Sequence, residues 1–260
     1  DIVASDLITL TGALVAQSSG AITLASVTSG AFDARAGTAL TQGAVPATSI
    51  VGRSVSGDIM SGAIIADGGA IDLEAAFGIA LTSVDGGSLM ANALGGDIVA
   101  SELITLTGAV DALASGGVTL GDVSASTITA NAAGGDLIAG SLVAQEAISL
   151  DALGSILFAS ISGVSLIADT EDGDIESTRN IDLTGSLQID ATGDVNLGAV
   201  TSSSVSIAAA SASVSETTAN AFTAVTRTGD FAVPGTLTVD DGAIDLQSSG
   251  AITQADVIAD

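Results

Sequence analysis

The sequence predicts an all-β chain wound as a right-handed parallel β-helix, a β-solenoid of about 19 residues per coil and roughly 13 coils. Three observations lead there. Asp1 to Ala13 reads DIVASDLITLTGA and returns as DIVASELITLTGA from Asp97 to Ala109, changed only where Asp6 becomes Glu102. A Gly-Asp step marks Gly57-Asp58, Gly96-Asp97, Gly135-Asp136, Gly173-Asp174, Gly193-Asp194 and Gly229-Asp230. A tripeptide of a β-branched residue, a small or polar one and then leucine recurs from one end of the chain to the other.

The Gly-Asp steps fix the unit. With the weaker boundaries Gly78-Ile79, Gly117-Val118 and Gly154-Ser155 between them, successive boundaries fall 18 to 21 residues apart, and the long repeat spans five coils. Gly20-Ala21 and Gly250-Ala251 extend the series, and the register blurs over 38–56 and 202–228. Coils of variable length argue for the right-handed form, because left-handed solenoids carry strict hexapeptides in coils of constant length.

The tripeptides supply the strands. Apolar residues alternating with small or polar ones have the period of a strand with one wet face and one buried face. No helical spacing of apolar residues is sustained. The predicted inward ladder includes Ile8, Leu10, Ile22, Leu24, Ile104, Leu106, Val118, Leu120, Ile148, Leu150, Ile181 and Leu183. One coil cannot bury its apolar side chains alone, so each depends on its neighbours. The pattern runs on without a linker, so residues 1–260 are expected to form a single continuous solenoid. Because it starts and stops in mid-pattern, with Ala251–Asp260 opening a further coil, the expectation is an interior segment of a longer chain or a subunit that stacks end to end.

Composition narrows the function. Thirty acidic residues face four arginines and no lysine, for a net charge of −26. Nucleic acid is not an expected partner, since phosphate binding needs cations, and anionic membrane surfaces are disfavoured for the same reason. No apolar run is long enough for a transmembrane helix. Histidine, cysteine and lysine are absent, removing the commonest general bases, thiolates and Schiff-base amines. With no Trp or Tyr to make a sugar platform, no enzyme is expected. The acids of Asp169–Asp174 (DTEDGD) and the pair Asp240-Asp241 read as turn and surface residues.

Two binding chemistries compete with a purely structural role. The Gly-Asp aspartates should line up along the solenoid, which makes Asp97, Asp136 and Asp174 the candidate metal ligands, for calcium. Calcium takes six to eight oxygens, and the nonapeptide of calcium-binding repeats does not occur here. Several of these aspartates should sit two coils apart, with Ile79, Val118 and Ser155 between them, relieving repulsion without a metal. The pattern therefore favours a structural turn, with no cofactor. Thr9-Leu10-Thr11, Thr105-Leu106-Thr107 and Thr236-Leu237-Thr238 fit an ice-binding row, but most coils carry one threonine there, as ordinary strand propensity explains.

The 19-residue coils, the Gly-Asp-Ile and Gly-Ala-Ile openings and the Ala/Gly/Ser/Thr/Asp background resemble filamentous-haemagglutinin-like repeats. The resemblance implies a right-handed β-helical shaft at a bacterial surface, secreted and extracellular, used in attachment or biofilm matrix. It also implies partners that are neighbouring coils or subunits end to end, and host or surface glycans held by parts outside this sequence. No functional residue carries over. The alternative is a calcium-, carbohydrate- or ice-binding solenoid module.

Overall fold

The computed structural model describes residues 1–240 and 242–259. Asp241 of the Asp240-Asp241 pair, and Asp260 of the last predicted coil, lie outside the described residues. Thirty-three strands and no helix are present among the described residues, and every strand pairing within each unit is parallel. The chain divides into two compact units, Asp1–Gly134 and Gly135–Asp260.

Each unit is a parallel β-solenoid of seven coils, 14 in all, at about 19 residues per coil. A coil has three strand segments, as in Ile79–Leu81, Val84–Gly86 and Ser88–Ala93 of the first unit. The second unit repeats this in Ile175–Ser177, Ile181–Leu183 and Ser186–Ala191. In other coils the first two segments run together, as in Ile156–Gly163. The blurred stretches are regular too. Leu40–Gln42, Val45–Ala47 and Ser49–Ser54 complete one coil, and the coil between Val195 and its partner Ala212 simply has shorter corners.

Three inward ladders make the core of each unit. In the first unit Ile22, Leu40, Ile59, Ile79, Ile98 and Val118 stack on the first side. Ile64, Val84, Ile104 and Val123 stack on the second. Phe32, Ile50, Ile71, Leu89, Val110 and Ile128 stack on the third. The recurrent tripeptide thus marks a strand but no fixed side of the coil. Ile22-Leu24 and Val118-Leu120 lie on the first side, Ile104-Leu106 and Ile181-Leu183 on the second, Ile148-Leu150 on the third. Each side needs the same thing, two inward residues flanking an outward one, so one tripeptide serves all three.

These ladder residues are buried, with Leu106 and Leu183 the least covered at 5% exposure. The first coil differs. Leu10 is 39% exposed and Ile8 is half-buried, because that coil has a neighbour within its unit on one side only. Each fully covered aliphatic contributes about 1.5–3 kcal/mol relative to exposure. Four of the five phenylalanines, Phe32, Phe158, Phe222 and Phe231, join the aliphatics in the interior. Phe222 and Phe231 meet at 5.8 Å between ring centroids, tilted by 53°. The small Ala212 pairs with Phe231 in the neighbouring coil, leaving space for the ring.

Among the described residues, two buried side-chain polar atoms lack a hydrogen-bond partner. Gln42 Nε2 donates to Ser61 Oγ at 3.2 Å while Gln42 Oε1 has no partner. Thr217 holds a second-side ladder position between Val200 and Leu237, fully buried, with its hydroxyl oxygen unpartnered. A buried polar group without a hydrogen bond costs about 1–3 kcal/mol. Thr217→Val keeps the shape and removes that cost, so its urea unfolding free energy should rise by about 1 kcal/mol. A fall in stability would show that the hydroxyl is satisfied in solution.

Candidate functional site: the aspartate corner

The corner before each first-side strand is where the chain must turn and the continuous backbone ladder is weakest. The Gly-Asp aspartates sit there. Their Oδ1 atoms do one job: each accepts a hydrogen bond from the corner of the next coil. Asp58 accepts from the Gly78 N–H at 2.8 Å, and Asp97 from the Gly117 N–H at 2.8 Å. In the second unit Asp136 accepts from Ser155 N–H at 2.8 Å, Asp174 from Asp194 N–H at 2.7 Å, and Asp230 from Ala251 N–H at 2.7 Å. Asp1, which no glycine precedes in this sequence, accepts from Ala21 N–H at 2.7 Å. A carboxylate on a backbone N–H is a charge-assisted bond, stronger than a neutral one.

The intervening corners are held by Gly78, Gly117 and Ser155 rather than by Ile79 and Val118, which lie one residue further on, inside the ladder. Ser155 belongs at the corner as expected, and its hydroxyl accepts from the Asp174 N–H at 3.2 Å. Asp174 and Asp194 occupy adjacent coils, about 4.8 Å apart along the stack. Asp194 turns its own Oδ1 to Ser211 Oγ at 2.6 Å.

A glycine just before the corner that receives the carboxylate has a separate role: it leaves room for that carboxylate. A Cβ on Gly116 would fall 2.1 Å from Asp97 Oδ1; on Gly154, 2.2 Å from Asp136 Oδ1; on Gly193, 2.2 Å from Asp174 Oδ1. Gly20 and Gly250 stand in the same relation to Asp1 and Asp230. In Gly193-Asp194 the glycine makes room for the carboxylate of one neighbouring coil and the aspartate reaches the other. Where alanine (Ala210) precedes the next corner, Asp194 takes the Ser211 hydroxyl instead. An aspartate followed about one coil later by glycine is a signal present in the sequence that a search for Gly-Asp pairs alone overlooks.

For the three calcium candidates, Asp97, Asp136 and Asp174, the structure assigns one carboxylate oxygen each to the staple. No group of three or more acidic ligands converges as a metal set among the described residues. The threonine pairs do not form a flat row. Thr11 and Thr107 fall in corners, and the outward column shared by Thr105 passes through Pro46, Ile65 and Asp85.

Third-side outward faces carry most of the charge pairing. Arg53 binds Asp72 of the next coil through both nitrogens of its fork, Nη1 at 2.9 Å from Oδ1, with Glu74 Oε2 at 3.5 Å from Nε. The Asp72 hydrogen bond raises the Arg53 pKa above its ordinary value. Arg35 pairs with Asp33 on its own strand at 3.2 Å. In the second unit Asp151, Asp169 and Asp190 stand directly opposite one another on successive coils. Arg227 spans to that column, 2.6 Å from Asp190 Oδ1 and 2.7 Å from the Ala191 carbonyl. Burial pushes the Asp169 carboxyl up from its ordinary value, Asp190, Asp151 and Glu171 push the same way, and Arg227 opposes them.

These features define a class: a parallel β-solenoid whose coils are stapled by corner aspartates. Within that class the chain belongs to the Toastrack DUF4097 family, whose model matches residues 73–247. No curated protein and no solved structure matches the chain.

Two measurements follow from the corner and the column. Gly116→Ala should destabilise by about 1–3 kcal/mol in the wild-type chain and by less in an Asp97→Ser background, a coupling of about 1 kcal/mol or more in a double-mutant cycle. Additive effects would place the clash elsewhere. Because the folded pKa of Asp169 is raised, the native state holds more protons than the unfolded state between the two values. Stability is therefore lost as pH rises through that window, and the penalty is full above it. Asp169→Asn should stabilise at neutral pH by no more than about 0.5 kcal/mol, since the group is exposed, with the gain vanishing below the ordinary carboxylate range. A gain independent of pH would rule out charge as its cause.

Proposed function

We propose that the chain is a shaft segment of an extracellular bacterial fibre or adhesin, a stiff β-solenoid used for surface attachment or biofilm matrix. The observation that carries this reading is the direction of the bonding. Within each unit the backbone ladders of all three sides, and the corner carboxylates, run from coil to coil along the stacking axis. Load applied along that axis is shared among parallel bonds on every side, and adjacent coils separate only if the ladders and the shared aliphatic core fail together.

Surface chemistry supports the same reading. A net charge of −26 keeps such rods apart in solution. The coil openings resemble those of filamentous-haemagglutinin-like shafts, and the proposed partners are further solenoid coils or subunits end to end. Attachment to glycans would belong to parts outside these residues.

The test is surface labelling. Antibody raised against residues 1–260 should decorate filaments on intact cells of the source bacterium, and brief protease treatment of those cells should release the epitope. Labelling that appears only after lysis would overturn the proposal.

A further inference from the structure

Unlike the other four phenylalanines, Phe77 lies outside the core, 53% exposed. It stands at one end of a groove in the first unit, on the outward face of the first-side strands. The floor is the single coil running from Phe77 to Thr82, where the outward residues Gly78 and Ala80 are small. The walls are the coils on either side. Met60 and Val99 pair with Ala80 from opposite neighbours and rise above it, each well exposed. The two overlapping halves of the groove enclose about 370 and 380 Å³.

The dimensions suit an extended chain. The walls are two coil spacings apart, about 9.6 Å, and six floor residues run on the order of 17–20 Å along the strand direction. The chemistry is graded along that length. At the Phe77 end stand Asp58 and Asp97, one on each wall. Each gives Oδ1 to its corner staple, and each has an Oδ2 with no partner among the described residues. An aromatic face beside two carboxylates recognises a cation. The middle, Met60, Ala80 and Val99, is apolar. At the far end the lining passes to Thr82 and Ser101.

The cation does not come from the arginines of this unit. Both arginines of this unit are engaged on the third side, Arg35 with Asp33 and Arg53 with Asp72 and Glu74. A bilayer is a poor occupant, because the binding face is concave and anionic headgroups would meet the same carboxylates.

We propose that this groove docks an extended peptide segment of a partner protein, with a lysine or arginine between Asp58 and Asp97 against Phe77 and aliphatic side chains over Ala80. The strand edges of the floor are already paired within the solenoid, so recognition is by side chains rather than by adding a strand. The proposal does not rest on the shaft reading.

The probe is a fluorescein-labelled pentapeptide, Arg-Leu-Ser-Leu-Ser, titrated with the 260-residue chain and followed by anisotropy. Its counterpart with glutamate in place of arginine should bind at least tenfold more weakly. The double variant Asp58→Asn/Asp97→Asn should also weaken binding at least tenfold. It should still fold, with a modestly lower melting temperature, because the amide oxygen still accepts the corner N–H through a neutral and weaker bond. Phe77→Ser, which leaves both carboxylates in place, should weaken binding independently and decides the matter if the double variant unfolds early. Absence of binding to the wild-type chain, equal affinity for the glutamate peptide, or unchanged affinity in Phe77→Ser would overturn the assignment. Any of these would leave the surface-labelling result where it stands.

Discussion

Every coil of this protein depends on the one beside it for both halves of its stability. The backbone groups of a three-residue strand have no partner within their own coil, and an unpaired buried N–H or carbonyl is costly. Its two or three inward side chains cannot cover one another either. Stacking answers both needs at once, at a spacing of about 4.8 Å set by the backbone hydrogen bond. That spacing then dictates everything laid on top of it. A side chain placed on one coil always meets the equivalent side chain of the next, so like meets like in every column unless the sequence breaks the series.

The corners show how this constraint is handled. Aspartate accepts the orphan corner N–H of its neighbour, but a carboxylate in every coil would stack charge on charge. Gly78, Gly117 and Ser155 interrupt the column, and Asp194 finds a hydroxyl where it follows Asp174 directly. The third-side column of Asp151, Asp169 and Asp190 lacks such interruptions, and there burial first, then the neighbouring carboxylates, raise the Asp169 pKa, partly offset by Arg227 reaching across two coils. The same rule therefore yields a staple at one position and a strained column at another.

How far the sequence reveals this follows from which requirements are local. The coil length, the strand content and the burial of Ile104, Leu106, Val118, Leu120, Ile148 and Leu150 rest on alternation and spacing, which a linear pattern carries. The assignment of each tripeptide to a side does not, because Ile22-Thr23-Leu24 and Ile148-Ser149-Leu150 satisfy the same local demand on different sides. Ile79 and Val118 lie one residue inside the corners for the same reason: Gly78 and Gly117 themselves take the place that aspartate holds in the neighbouring coils. The groove was invisible for a different reason. It is defined by Met60, Ala80 and Val99, residues 19 or 20 apart whose sizes matter only once the register is known.

The glycine–aspartate coupling bears on how such a chain can lengthen. At five corner aspartates the staple closes past a glycine 18 to 20 residues later, Asp194 takes a hydroxyl at the next corner, and Asp58 closes past Phe77. Duplicating one coil alone breaks that agreement at its new junction unless the copied coil happens to match its neighbours on both sides. Duplicating a block of coils preserves every internal aspartate–glycine agreement and leaves only the block ends to be reconciled. The near-identity of Asp1–Ala13 and Asp97–Ala109 across five coils, with far weaker likeness between adjacent coils, is the pattern that block duplication leaves. Both copies open on a corner aspartate followed 19 residues later by glycine, Asp1 with Gly20 and Asp97 with Gly116. A block copied in this way carries each staple with its clearance already built, and single-residue changes elsewhere in the coil leave the corner closed.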